Sequence, residues 1–164
     1  MTYAPAGRGA QIAATPGMGA VAVFDSNGNF IRQAVSGGRL ASPWGIALAP
    51  GAFGNFGGDL LVGNFSFAAS EINVFNPATG VLIDTITLDL GGNSPGGLWD
   101  LIFGNGGSGG NPNILYFSDG INGEANGLFG AIRAIPEPAS MALLGPALTL
   151  LAIRRLRRRD SLTD

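Results

Sequence analysis

The sequence predicts an all-β fold, and three features indicate it. The chain has 164 residues with 28 glycines and 10 prolines, and only 12% of its residues are charged. Because glycine and proline concentrate in tight turns, this composition favours many short strands over long helices. Short runs rich in valine, isoleucine, leucine and phenylalanine alternate with the turn residues. Similar runs return along the chain, which indicates a repeated β unit.

The repeat has a period of about 50 residues. Three parallels define it: 21–31 with 72–83, 44–50 with 99–105, and 59–64 with 113–118. Their offsets are 51, 55 and 54, and 127–132 begins a third copy of the first element. Six residues are therefore expected to be buried at equivalent positions: Phe24, Phe75, Trp44, Trp99, Leu61 and Leu115.

Nine strands are predicted, near 20–24, 29–35, 45–49, 59–64, 70–76, 81–88, 98–103, 113–118 and 127–133. Four strands in about 50 residues correspond to one blade of a β-propeller. Residues 19–134 are thus predicted to form a partial β-propeller of about two and a quarter four-stranded blades. Since propellers usually close with about four to eight blades, these repeats are not expected to close a ring alone.

The C-terminal segment 135–159 has three parts in a fixed order. Pro136, Glu137 and Pro138 form a rigid, extended tripeptide. The run 139–153 is uncharged and mostly apolar, and it predicts a single apolar transmembrane helix. Five arginines then form a stop-transfer cluster, which the positive-inside rule places in the cytoplasm: Arg154, Arg155, Arg157, Arg158 and Arg159. A polar C-terminus, 160–164, follows.

This order resembles the PEP-CTERM sorting signal of Gram-negative bacteria. The resemblance implies that an exosortase, a membrane protease, reads Pro136-Glu137-Pro138 and removes the tail during export. The expected partners through 135–159 are therefore an exosortase and membrane lipid. The expected location is the inner membrane with the body on the periplasmic side, then the cell surface or extracellular matrix after processing.

The repeats carry a second resemblance. The runs at 36–50, 60–65 and 103–110 look like those of an uncharacterised family of secreted bacterial proteins with NHL-like propellers, some of which end in the same tail. Residues 1–18 predict an irregular segment, because this stretch lacks the basic and apolar regions of a signal peptide. Together these features lead us to expect an N-terminally truncated fragment of a longer protein.

Candidate chemical sites have simpler structural explanations. The pattern Gly104–Gly109 fits GxGxxG, but a strand-like run follows where a nucleotide site needs a helix, so a surface loop is favoured. The loop Asp25–Asn29 resembles the start of a calcium loop, but Phe30 and Ser36 stand where an EF-hand needs glycine and glutamate, so a type I′ hairpin turn is favoured. Trp44 and Trp99 fit either stacking on a sugar or inter-blade packing, and their repeat position favours packing.

No catalytic residue, cofactor or metal is predicted. The chain has no histidine, lysine or cysteine, which removes most base–nucleophile pairs. Four arginines and eight acids in 1–135 argue against nucleic acid as a partner, whereas extracellular polysaccharide is a possible one. The favoured function is a non-enzymatic, exported surface or matrix protein. The alternatives are a fragment of a lactonase-like propeller hydrolase, with its ligands in upstream sequence, or an unexported pseudogene product.

Overall fold

The computed structural model describes residues 1–135, and the all-β prediction is confirmed there. Of these residues, 45% lie in β-strands and 6% in helices. The strands are β1 (Thr2–Tyr3), β2 (Ala20–Phe24), β3 (Phe30–Ser36), β4 (Pro43–Leu48), β5 (Leu60–Asn64), β6 (Glu71–Phe75), β7 (Leu82–Thr87), β8 (Pro95–Phe103), β9 (Ile114–Ile121) and β10 (Asn126–Arg133). A short helix α1 (Arg8–Ile12) and a 3₁₀ turn (Gly54–Phe56) complete the secondary structure of this part of the chain.

The strands form three antiparallel sheets in chain order. The first sheet contains β1, β2 and β3, the second contains β4 to β7, and the third contains β8, β9 and β10. In each sheet the hydrogen-bonded neighbours are also neighbours in sequence. Turns and loops between consecutive strands produce this meander, because antiparallel neighbours need no crossover connection.

Two apolar cores lie between the sheets. Val21 and Val35 of the first sheet pack with Val62 and Phe75 of the second. On the opposite face of the second sheet, a larger core joins it to the third sheet, and its members include Leu61, Ile72, Val74, Leu98, Leu115 and Phe117. Alternation of side chains along β5 and β6 therefore buries both faces at the centre of the second sheet.

The nine predicted strands are all present, within a few residues of their expected ends. The blade prediction is less accurate, because only the second sheet has four strands. The sheets described in residues 1–135 do not close into a barrel or a propeller ring. Strand β1 and helix α1 carried no sequence signal, because they are too short to show a periodic pattern.

The predicted transmembrane helix requires a correction. Within residues 1–135 no helix is long and apolar enough to cross a membrane. The prediction fell on 139–153, which lies outside the described residues, and the described part of the fold contains no such helix. The chain divides into two units, Met1–Ala134 and Ile135–Asp164, and Ile135 is the one residue of the second unit that the structure describes.

Strand register corrects one of the repeat offsets. Pro43 pairs with Asn64 in the second sheet, as Leu98 pairs with Asp119 in the third. The other matched pairs are Ile46–Val62 with Leu101–Phe117, Ala47–Leu61 with Ile102–Tyr116, and Leu48–Leu60 with Phe103–Leu115. Every residue of the β4–β5 hairpin thus has its counterpart 55 positions later. The counterpart of Leu61 is Tyr116 and not Leu115, which is also buried but faces the opposite way.

The offset of 51 between the first and second sheets is confirmed. Phe24 pairs with Phe30 at the end of β2, and Phe75 pairs with Leu82 at the end of β6. The same irregularity in register precedes both phenylalanines. Phe75 is buried, as predicted, but Phe24 is only half-buried, because no further sheet covers its face in this part of the chain.

Candidate functional site

The two tryptophans singled out from the sequence meet in one aromatic cluster, formed by Trp44, Phe65, Phe67 and Trp99. Trp44 stacks on Phe65, with ring centroids 4.6 Å apart and planes 17° apart. Trp99 meets Trp44 edge-on at 5.2 Å and Phe65 edge-on at 5.9 Å. Such offset and edge-to-face arrangements are the ones that aromatic rings favour. The cluster joins the start of β4 to the middle of β8.

The prediction that both tryptophans are buried is wrong for Trp99. Trp44 is half-buried, whereas the side chain of Trp99 is 47% exposed. The difference has a cause in the repeat, because the counterpart of Phe65 at an offset of 55 is Gly120. A ring at 120 has no space, since a Cβ there would lie 2.9 Å from the Gly96 carbonyl oxygen. Trp99 therefore lacks the covering ring that Trp44 has.

An open cleft of about 530 Å³ lies beside Trp99. Its lining comes from β8, from β9 and from the start of β10: Trp99, Ser118, Asp119, Gly120, Glu124, Ala125, Asn126, Gly127, Leu128 and Phe129. Phe129 is 73% exposed and stacks on Tyr116, with ring centroids 5.9 Å apart. The cleft thus combines exposed aromatic surface with carboxyl and amide groups at one end.

The turn between β9 and β10 forms the polar end of the cleft. Asn122, Gly123 and Glu124 all have positive φ, at 53°, 64° and 66°. A glutamate in this left-handed region is uncommon and strained, so its surroundings must hold it there. Arg8 forms an ion pair with Glu124, and the Asn122 side chain donates to Asn93 Oδ1 at 3.0 Å. The N-terminal segment therefore braces this turn.

Asp119 is the buried acid of the cleft, and sequence reasoning missed it. Its side chain is 2% exposed, and neither carboxyl oxygen accepts a hydrogen bond from the described residues. Burial raises the pKa of Asp119, because the charged form is poorly solvated there. The Ser70 hydroxyl opposes this shift of the pKa, but it forms no hydrogen bond of normal geometry with the carboxyl group.

The counterpart of Asp119 in the second sheet is Asn64, and the two have opposite surroundings. Asn64 Oδ1 accepts a hydrogen bond from the Ala41 N–H at 3.1 Å. Asn64 Nδ2 donates to the Arg39 carbonyl at 2.9 Å. An amide that both donates and accepts satisfies this buried position, whereas an ionised carboxylate can only accept. The position is structural in the second sheet and unsatisfied in the third.

The loop Asp25–Asn29 is held by its own hydrogen bonds. Asp25 Oδ1 accepts from the N–H groups of Asn27 and Asn29, and Oδ2 accepts from Asn29 Nδ2, at 2.8 to 2.9 Å. These bonds, that of the Asn29 side chain foremost, lower the pKa of Asp25. The predicted type I′ turn is wrong, because Gly28 has a positive φ of 84° and Asn27 does not. A type I turn followed by a left-handed glycine accommodates the five-residue loop.

The glycine-rich segment Gly104–Gly109 is a surface loop, as predicted. Asn105 Oδ1 accepts hydrogen bonds from the N–H groups of Gly107 and Gly109, at 2.9 and 3.2 Å. The chain continues into β9 and not into a helix, so the N-terminal helix turn of a dinucleotide site is not formed at this loop.

The predicted sorting residues lie outside the described residues. This holds for Pro136, Glu137 and Pro138 and for the arginine cluster at 154, 155 and 157–159. Within residues 1–135, no three acidic, histidine or cysteine side chains are grouped closely enough to hold a metal ion. The structure brings together Trp44, Trp99 and Phe65. The sequence offered one indication of Phe65, because a phenylalanine directly follows the apolar run of β5.

Comparisons with known proteins add one partial relative. No protein-family model matches the chain, and no solved structure matches it significantly. An uncharacterised protein of Acanthamoeba polyphaga mimivirus is 41% identical over 61 residues, which is 37% of this chain. The match spans 16% of the mimivirus protein. It indicates a shared segment and carries no assignment of activity.

Proposed function

We propose that this chain is an exported surface or extracellular-matrix protein without catalytic activity, sorted through its C-terminal segment. One observation carries the proposal: the order of rigid tripeptide, apolar run and arginine cluster over 135–159. Each part alone is common, but the three in this order at the C-terminal side of a β-rich body are typical of the PEP-CTERM signal. The inner membrane and then the cell surface or matrix are its proposed locations.

Each part of the segment has a separate role in this proposal. The two prolines keep Glu137 in an extended backbone, which a protease such as an exosortase can bind as a strand. The apolar run and membrane lipid delay the segment at the bilayer. The arginines remain on the cytoplasmic side and stop further transfer. The boundary between the two units of the chain, at 134–135, coincides with the start of this segment, which supports a tail separable from the body.

The body is proposed to be an arc of a β-propeller. Three observations support it: consecutive antiparallel meanders, apolar cores between successive sheets, and matched strand register at offsets of 51 and 55. In a propeller, each blade buries its faces against the preceding and following blades. The second sheet has these surroundings on both sides.

Intact mass of the mature protein tests the sorting proposal. The chain is expressed behind a secretory signal peptide, in a host with a matching exosortase and in the same host with the exosortase gene deleted. We expect loss of the segment after about Pro138 in the first host only. Glu137→Ala should leave the tail attached, while Thr149→Ala, a conservative change in the apolar run, should not. A tail retained equally in both hosts would contradict the proposal.

A further inference from the structure

The third sheet has one face that no other part of the described chain covers. Leu115 and Phe117 point toward the second sheet, so Tyr116 between them points away. Phe129 lies beside Tyr116 on this face. Ile102, which pairs with Tyr116, is 62% exposed. We define the open face of the third sheet by Ile102, Tyr116 and Phe129.

The repeat indicates what kind of surface the open face matches, because its residues have buried counterparts in the second sheet. Tyr116 corresponds to Leu61 through the offset of 55. Phe129 corresponds to Ile72, because Phe129 pairs with Ser118 and Ile72 pairs with Gly63, the counterpart of Ser118. Leu61 and Ile72 are both fully buried in the core between the second and third sheets. The open face is thus the counterpart of a face that packs on another sheet.

The first sheet has the complementary open face. Val21 and Val35 point toward the second sheet, so Ala20 and Ala22 point away. A hollow of about 260 Å³ lies on that side, lined by Tyr3, Ala20, Ala22, Phe30 and Gln33. Phe30 is 62% exposed and Tyr3 is 49% exposed. The small alanines form the floor of the hollow, and the two aromatic side chains are available to cover an inserted group.

From these two faces we infer that a second copy of this chain packs its first sheet on the open face of the third sheet. The contact continues the stacking already present between the first and second sheets and between the second and third. Phe129, the most exposed aromatic side chain of the third sheet, is placed to enter the hollow beside Ala20 and Ala22. Because the two contributing faces differ, the interface is head-to-tail, and an open assembly retains one free first-sheet face at one end and one free third-sheet face at the other.

This inference goes beyond the proposed function and does not depend on removal of the tail. A second copy also explains why apolar groups of this size are displayed together, since contiguous apolar patches mark interaction surfaces. The region of Glu124 and Arg8 lies at the edge of the open face and would form a polar rim. An apolar centre with a polar rim is the usual construction of a protein interface.

Paired charge substitutions test the inference on the full chain. Phe129→Glu disables the third-sheet face, and Phe30→Glu disables the first-sheet face. Sedimentation velocity over a concentration series should show association of the parent chain, and a loss of affinity of at least about tenfold for each single variant. An equimolar mixture of the two single variants should form a dimer, because one intact face of each kind remains.

The controls separate this contact from other association. The double variant Phe30→Glu/Phe129→Glu has neither face intact, so any association that it still shows comes from elsewhere, such as the C-terminal segment that every variant shares. Val81→Glu, in the exposed turn between β6 and β7, should associate like the parent. Near-ultraviolet circular dichroism checks folding, and Ile102→Glu and Tyr3→Glu replace either variant that fails to fold.

Three outcomes would overturn the inference. A parent chain that sediments as a monomer at every concentration has no such partner. If the single variants associate like the parent, these two faces do not form the contact between copies. A Phe30→Glu variant that still forms dimers, with no gain on mixing, indicates a symmetric contact of third sheet on third sheet instead.

Discussion

The second and third sheets use the same strand register but have different surroundings. Ile72 is fully buried, whereas its counterpart Phe129 is 73% exposed. Trp44 is covered by Phe65, whereas Trp99 has Gly120 at the corresponding position. The hydrophobic pattern therefore determines which face of a strand is apolar, but the neighbouring sheet determines whether that face is buried. Among residues 1–135, the third sheet is one of the places where a packing face has no partner.

The largest expected difference between the sheets is at Ile72 and Phe129. Ile72→Ala removes a side chain from the closed core and leaves a cavity, so we expect a loss of about 2–5 kcal/mol in the free energy of unfolding. Phe129→Ala, measured at low protein concentration, should change it by less than about 0.5 kcal/mol, as for other surface substitutions. Urea denaturation of the full chain measures both. Equal losses for the two variants would mean that Phe129 is buried in solution.

The tryptophan pair should show a smaller difference of the same sign. Trp44→Ala removes a half-buried ring that stacks on Phe65, and we expect a loss of about 3 kcal/mol. Trp99→Ala should lose about half as much, because nearly half of that side chain is already in water. Since the rings contact each other at 5.2 Å, the losses should not add in the double variant. Additive losses would indicate that the two rings are energetically independent.

Asp119 and Asn64 give a pH-dependent comparison. The pKa of Asp119 is raised above its usual value of 3.8 by burial, so the folded state holds its proton more tightly than the unfolded chain. Its contribution to stability is complete below the unfolded pKa and is lost as the pH rises through the folded pKa. Asp119→Asn, which installs the residue of the second sheet, should therefore raise the urea midpoint at neutral pH and leave it nearly unchanged in acid.

The control for this prediction is Asp84→Asn, at an exposed carboxylate of β7. The free energy of unfolding of Asp84→Asn should change with pH in the same way as that of the parent chain. If Asp119→Asn also keeps the pH dependence of the parent, the carboxyl group of Asp119 is not buried in solution.

Sequence reasoning identified the strands because each core position recurs with a period of two and each run is bounded by turn residues. It also located Trp44 and Trp99 at matching places. It misplaced Leu61 and Leu115 by one residue, because adjacent leucines, Leu60 and Leu61, match either alignment equally well. Only hydrogen-bonded register distinguishes the alternatives, since a shift of one residue exchanges the two faces of a strand.

The cleft was less accessible to prediction, because it depends on contacts between distant segments. Gly120 appears in the sequence as one glycine among 28, and only its alignment with Phe65 shows that a ring is absent. Asp119 appears as one of several scattered acids, and its burial depends on the packing of β9 against the second sheet. The left-handed Glu124 depends on Arg8, which is 116 residues away in sequence.

Engineered cysteine pairs test the offset of 55 most directly, because the chain has no cysteine of its own. In the second sheet Ala47 pairs with Leu61, so an offset of 55 for both strands pairs Ile102 with Tyr116. The sequence alignment, with its offset of 54 for the second strand, would instead pair Ile102 with Leu115. Ile102→Cys/Tyr116→Cys should form an intramolecular disulfide under mild oxidation, because the two side chains lie on the same face. Ile102→Cys/Leu115→Cys should remain reduced, as intact mass after alkylation will show. A disulfide in the second pair and none in the first would contradict the register, and with it the assignment of an open packing face to the third sheet.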